Sequence, residues 1–105
     1  MAITLQAIQR TKLTLATYVP ITPGISAGQV MVIKDLRFSN YGGAAIAVTA
    51  QFAGALAVVL VKSVAASDTY IDSGELVLVA GQSLEAKLSL GGTVDCVVSG
   101  FLRDQ

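Results

Sequence analysis

Histidine and tryptophan are both missing from this chain of 105 residues, and cysteine occurs once. Without histidine, the side chain that most often carries protons near neutral pH is gone, and so is the commonest metal ligand. A single thiol, Cys96, cannot close a disulfide within the chain, so the fold needs no oxidising compartment. Cys96 sits in Val94-Asp95-Cys96-Val97-Val98, where alternation puts it beside Val94 and Val98 as a small buried hydrophobe. No Gly-x-Ser-x-Gly elbow is present to activate a serine. An enzyme is not expected, and neither is a cofactor.

Charge is scarce as well. Only 13% of positions are charged, with seven basic and seven acidic side chains, while 53% are hydrophobic. The basic residues Arg10, Lys12, Lys34, Arg37, Lys62, Lys87 and Arg103 are scattered, and a phosphate backbone needs them clustered, so nucleic acid is a poor partner. The opening Met1 to Gln6 lacks the basic start and apolar block of a secretion signal. The longest uncharged stretch, Phe38 to Val61, is broken by Ser39-Asn40-Tyr41-Gly42-Gly43 and carries Thr49 and Gln51 at strand-like alternate positions. A membrane-spanning helix is therefore not expected. What remains is more apolar surface than a small solitary domain hides, which favours an oligomer over a monomer.

The apolar residues that are present alternate. Leu84, Ala86, Leu88 and Leu90 fall on one side of a strand, with Ser83, Glu85, Lys87 and Ser89 on the other. Val94, Cys96, Val98 and Leu102 repeat the pattern, and Gly91-Gly92 between the two segments predicts a hairpin turn. Ile46, Val48, Ala50 and Phe52 form another such face. In 29–38 the face Val30, Val32, Leu36, Phe38 is interrupted by Lys34, which predicts a bulge or an edge position. Pro20 and Pro23 bar a central strand between Val19 and Gly24. With 69–71 and 75–79 added, about eight short strands separated by turns predict one antiparallel β-sandwich or jelly roll over 1–105. Residues 1–28 are expected to supply an extended arm and loop to intersubunit contacts.

One run is apolar on both faces: Leu56-Ala57-Val58-Val59-Leu60-Val61. A sheet in water usually wets one face, so such a run is either covered twice or lies at a subunit contact, and the second fits a small domain better. Leu56, Val58, Val59, Leu60 and Val61 are thus candidate interface residues, joined by Ile3 and Leu5 in a segment placed to add a strand to a neighbour. Tyr18, Tyr41 and Tyr70, near expected loops, are the candidate recognition residues, with structural packing as the plainer role for each. Asp68, Asp72 and Glu75 could suggest a cation site or an acid pair, but read more simply as turn formers and a solubilising charge.

Several phrases resemble those of small structural proteins of tailed bacteriophages. Asn40-Tyr41-Gly42-Gly43-Ala44-Ala45-Ile46-Ala47-Val48-Thr49 is similar to their Asn-containing turn leading into a Val/Thr strand. Val64-Ala65-Ala66-Ser67-Asp68-Thr69-Tyr70 is similar to their acidic, Tyr-containing connector, and Leu76 to Ala86 to their strand, Ala-Gly, strand unit. Val94 to Gly100 resembles their last strand. Gln82 stands where the family phrase usually carries a charge, and residues 1–40 match nothing in that pattern.

The resemblance implies a β-sandwich virion component, assembled in the host cytoplasm. The role expected first is a capsid decoration (cement) protein, a trimer or dimer that stabilises the major-capsid lattice by binding the major capsid protein or other virion proteins. The alternative is a tail- or fibre-associated module that recognises a host-surface glycan or receptor through Tyr18, Tyr41 and Tyr70.

Overall fold

A computed structural model describes residues 4–14, 16–53 and 58–104, and the side chains of 9–14, 16–53 and 58–104. Among the described residues, nine strands form two packed antiparallel sheets, an all-β sandwich. They are β1 (Thr4–Leu13), β2 (Val19–Pro20), β3 (Gln29–Asn40), β4 (Ile46–Phe52), β5 (Val58–Val64), β6 (Thr69–Asp72), β7 (Leu76–Val79), β8 (Leu84–Leu88) and β9 (Val94–Asp104). The first sheet runs β1-β9-β3, with β6 and β7 pairing different halves of the far side of β3. The second runs β2-β8-β4-β5.

Alternation decides what is buried. Leu84, Ala86 and Leu88 of β8 face Val94, Cys96 and Val98 of β9 across the core, all without solvent exposure. Leu90, expected on the same face, lies beyond the end of β8 and is exposed. Phe38, Ile33, Met31 and Leu13 fill the rest of the first sheet's inner side. Most of this core follows from the period-2 pattern, and Ile21 and Ile25 add to it from the loop after β2.

The predicted hairpin between β8 and β9 does not form. β8 pairs with β2 and β4, whereas β9 pairs with β1 and β3, so residues 89–93 cross from one sheet to the other. Two inward apolar faces can lie side by side in one sheet or face each other across about 10 Å, and the second arrangement buries them against each other. Gly92 turns the chain against the core: a Cβ there would lie 2.8 Å from Ile46 Cδ1, so the Ile46 side chain would have to shift to admit one.

Lys34 does mark a bulge, since the β3–β9 register shifts between Ile33 and Asp35. β3 is an interior strand, however, and not an edge. The extra residue switches the parity of the strand: Met31 and Ile33 point inward before it, and Leu36, Phe38 and Asn40 after it. The uniform face Val30, Val32, Leu36, Phe38 is corrected accordingly, because Val32 is turned to the outside.

Residues 4–13, expected as part of an arm, are paired along their whole length with β9 of the same chain, from Thr4 opposite Arg103 to Leu13 opposite Val94. The other side of β1 is a sheet edge. β2 is a two-residue edge strand, in keeping with Pro20, and it is fixed by Ile21 N donating to Leu84 O at 3.0 Å and Leu84 N donating to Thr22 Oγ1 at 2.8 Å. β5 is the opposite edge of that sheet and, among the described residues, pairs only with β4. A register shift between Ala50 and Gln51 leaves Val59 unopposed, which disrupts the edge.

Candidate functional site

The outer face of the first sheet carries the most developed surface among the described residues. Strand register aligns its side chains in rows: Val77, Val32 and Phe101 lie side by side across β7, β3 and β9, and Val79, Val30 and Arg103 form the next row. Val77, Val79 and Phe101 are about two-fifths exposed, while Val30 is buried between its neighbours. Lys34 at the bulge meets Glu75 just ahead of β7, with Nζ 2.5 Å from Oε2. Together Val32, Lys34, Glu75, Val77, Phe101 and Arg103 line an open recess of about 340 Å³.

The same face changes character past the bulge. There the rows read Ile71, Arg37, Val97, Arg10 and then Thr69, Ser39, Asp95, Lys12, so charges break up the apolar side chains. The apolar floor is therefore confined to one half of the sheet and framed by ionic groups. Lys34 holds the Glu75 carboxyl below its ordinary range, first through the hydrogen bond and then through its charge; slight desolvation opposes this and Arg103 assists. The ion pair is exposed on both sides and adds little to folding. It does keep two opposite charges standing at the rim.

The residues named from sequence divide. Val58 and Val61 on β5 are exposed, at 54% and 65%, which removes the doubly covered alternative for that run. Val59 and Leu60 are half-buried and pack against the core. Leu5 lies in β1 opposite Leu102, but its side chain is outside the described set, and Ile3 and Leu56 lie outside the described residues. Between the sheet edges, Leu36, Val59, Asp72, Gly74, Glu75 and Leu76 line a smaller recess of about 160 Å³.

The three tyrosines occupy three different elements. Tyr18 leads into β2 with Lys87 Nζ 4.8 Å from its ring centre, and Tyr70 of β6 packs on the core with Lys62 Nζ at 5.1 Å. Tyr41 is exposed in the turn after β3. Two of the three rings are thus each engaged by a lysine from the second sheet.

Sequence reasoning missed Val32, Val77, Val79 and Phe101. One signal was available: Leu76-Val77-Leu78-Val79 is apolar on both faces, the same property that singled out the β5 run.

The groups that could carry chemistry are engaged structurally. Asp68 Oδ1 accepts from Thr69 N at 2.8 Å and Asp72 Oδ1 from Gly74 N at 3.0 Å, both as turn formers. Among the described residues no three of His, Cys, Asp and Glu gather as metal ligands would. Cys96 has no exposed surface, and burial, aided by the Asp95 charge, pushes its thiol up to about 12. A thiol reagent at pH 8 is expected to label the folded chain at least ~100-fold more slowly than the urea-unfolded chain; equal rates would mean that β9 opens readily.

No family model matches the chain, and no curated protein does. Solved structures share its fold. A chain from the capsid of Helicobacter pylori bacteriophage KHP30 superposes with a TM-score of 0.64 at 7% identity, covering 100% of this chain and 94% of that one. A chain from Bacillus endospore appendages, disulfide-linked pili, gives a TM-score of 0.57 at 10% identity, covering 100% and 90%. At these identities the likeness is one of architecture. No helix among the described residues is long and apolar enough to cross a membrane.

Proposed function

We propose that this chain is a structural subunit of a bacteriophage virion, a capsid decoration protein that binds copies of itself and the capsid lattice. One observation carries the reading: after the sandwich has closed its core, Val77, Val79 and Phe101 on one sheet and Val58 and Val61 on the other remain exposed. Unpaired apolar surface of this kind is a contact surface on an otherwise weakly charged protein. Weak contacts suffice when a lattice repeats them.

The fold likeness to a phage capsid chain and to a pilus chain is compatible with a subunit of either kind of assembly. Cys96 favours the capsid side of that choice, because a fully buried thiol cannot link neighbours by a disulfide while the sandwich stays folded. Glycan recognition would need aromatic faces on one shared platform, and Lys87 and Lys62 engage Tyr18 and Tyr70 separately.

The test uses the full chain and shells of the phage that encodes it, assembled without this protein. Sedimentation is expected to show self-association at micromolar concentration, and the chain is expected to pellet with the shells and raise their melting temperature. A chain that stays monomeric to ~1 mM and leaves the shells untouched would overturn the proposal.

A further inference from the structure

We infer that the recess on the first sheet is covered by the same recess of a second copy, in a two-fold pair held by reciprocal contacts between Glu75 and Arg103. This rests on the assembly reading above and names the partner of that surface.

The argument is the placement of charge around the floor. Glu75 stands beside β7 at one corner of the patch, and Arg103 stands on β9 two strands away and two rows further along. With strands ~4.8 Å apart and alternate residues ~6.8 Å apart, the backbone positions of these corners are roughly 17 Å apart on opposite sides of Val32, while the two charged side chains line the same recess. A two-fold axis in the plane of the contact, passing over Val32, exchanges the two corners. Glu75 of each copy then faces Arg103 of the other, twice per pair, which is the self-complementarity that a two-fold interface requires. Among the described residues of its own chain Arg103 makes no direct ion pair, and acts on Glu75 only across the recess, so its guanidinium can take a partner's carboxylate; Glu75 would keep Lys34 and gain the second cation.

The same operation carries Phe101 of each copy over the floor of the other's recess, between Val32 and the aliphatic stem of Lys34. An aromatic side chain entering an apolar depression is the usual centre of a protein interface. The charged rows past the bulge lie outside the overlap. The molecule is 24 Å wide, so two such faces crossing obliquely bury on the order of 600 Å² per copy, at the lower end of specific interfaces. Affinity in the micromolar range follows, strong enough to matter only where a lattice concentrates the copies.

Charge reversal tests this without touching the core. The full-length wild type, Glu75→Arg, Arg103→Glu and the double variant are compared by sedimentation equilibrium, with circular dichroism confirming the β-sheet spectrum of each. Each single variant sets like charges face to face twice and is expected to weaken self-association about 10–100-fold. An equimolar mixture of the two single variants places Arg against Glu at both corners, and is expected to associate at least as tightly as wild type. The double variant on one chain is expected to recover as well. Single variants that associate like wild type, or a mixture that fails to recover, would remove this pairing while leaving the assembly reading intact. A monomeric wild type that still binds shells would do the same, whereas one that binds neither itself nor shells removes both.

Discussion

Gly100→Ala is expected to cost about 3–5 kcal/mol and to lower the melting temperature by more than ~12 °C. A Cβ on Gly100 would lie 2.0 Å from Val32 O and 2.9 Å from both Val32 C and Ile33 Cα. All three obstacles are backbone, so no rotamer change relieves them. Gly100 is opposite Ile33, the last residue before the β3–β9 register shifts, and the two strands approach closely there. Making room for a methyl group means separating the two central strands of the first sheet. Gly43→Ala is the matched control: its Cβ would meet nothing within 4 Å, and a change within about 0.5 kcal/mol is expected. Urea melts of the two variants check the pair. A Gly100→Ala protein melting within a few degrees of wild type would mean that the bulge sits elsewhere. The bulge is also what turns Val32 outward beside Phe101, so the packing that makes glycine obligatory here also shapes the assembly face.

That bulge was legible in the sequence, because a lysine on an apolar strand face would bury its charge unless the strand shifts parity there or runs along an edge. So was the inner surface of β8 and β9, where Leu84, Ala86, Leu88, Val94, Cys96 and Val98 alternate without a break. Alternation states which side of a strand is buried, but it is silent on which strand lies next to it. The β8–β9 hairpin failed for that reason: two adjacent segments with matching faces are equally consistent with neighbours in a sheet and with opposing layers. The recess was hidden for a related reason. It is assembled from residue 32 on β3, 77 on β7 and 101 on β9, which meet only through sheet register. The double-sided apolar run at 76–79 was its one local trace, and a change of parity inside β3 concealed the contribution of Val32.

Asn40→Asp, a change of one NH₂ group for one oxygen, is expected to cost about 3–5 kcal/mol at pH 7, more than Asn40→Ala at about 2–3 kcal/mol. Asn40 is buried at the end of β3, where Nδ2 donates to Ala44 O at 2.9 Å, Val64 O at 3.1 Å and Ala65 O at 3.3 Å. Its Oδ1 accepts from Gly42 N at 2.8 Å, and its own N donates to Asp68 O at 2.8 Å. One side chain thereby ties the first sheet to the end of β5 in the second. An ionised carboxylate in that position would set an anion against three carbonyl oxygens and remove the Asn40 donor from each, with Ala65 O keeping its bond from Asp68 N. Protonation removes the charge and restores one donor, so folding raises the pKa of the introduced carboxyl above its unfolded value near ~3.9. Between those two values the folded variant holds more protons than the unfolded chain, and its stability therefore falls as pH rises. The deficit against wild type should shrink on going from pH 7 to pH 4.5, by up to ~1.4 kcal/mol for each pH unit in that window. Urea denaturation of both proteins at the two pH values measures it. An unchanged deficit would mean that residue 40 does not face those carbonyls, and the link between the sheets would have to be sought elsewhere.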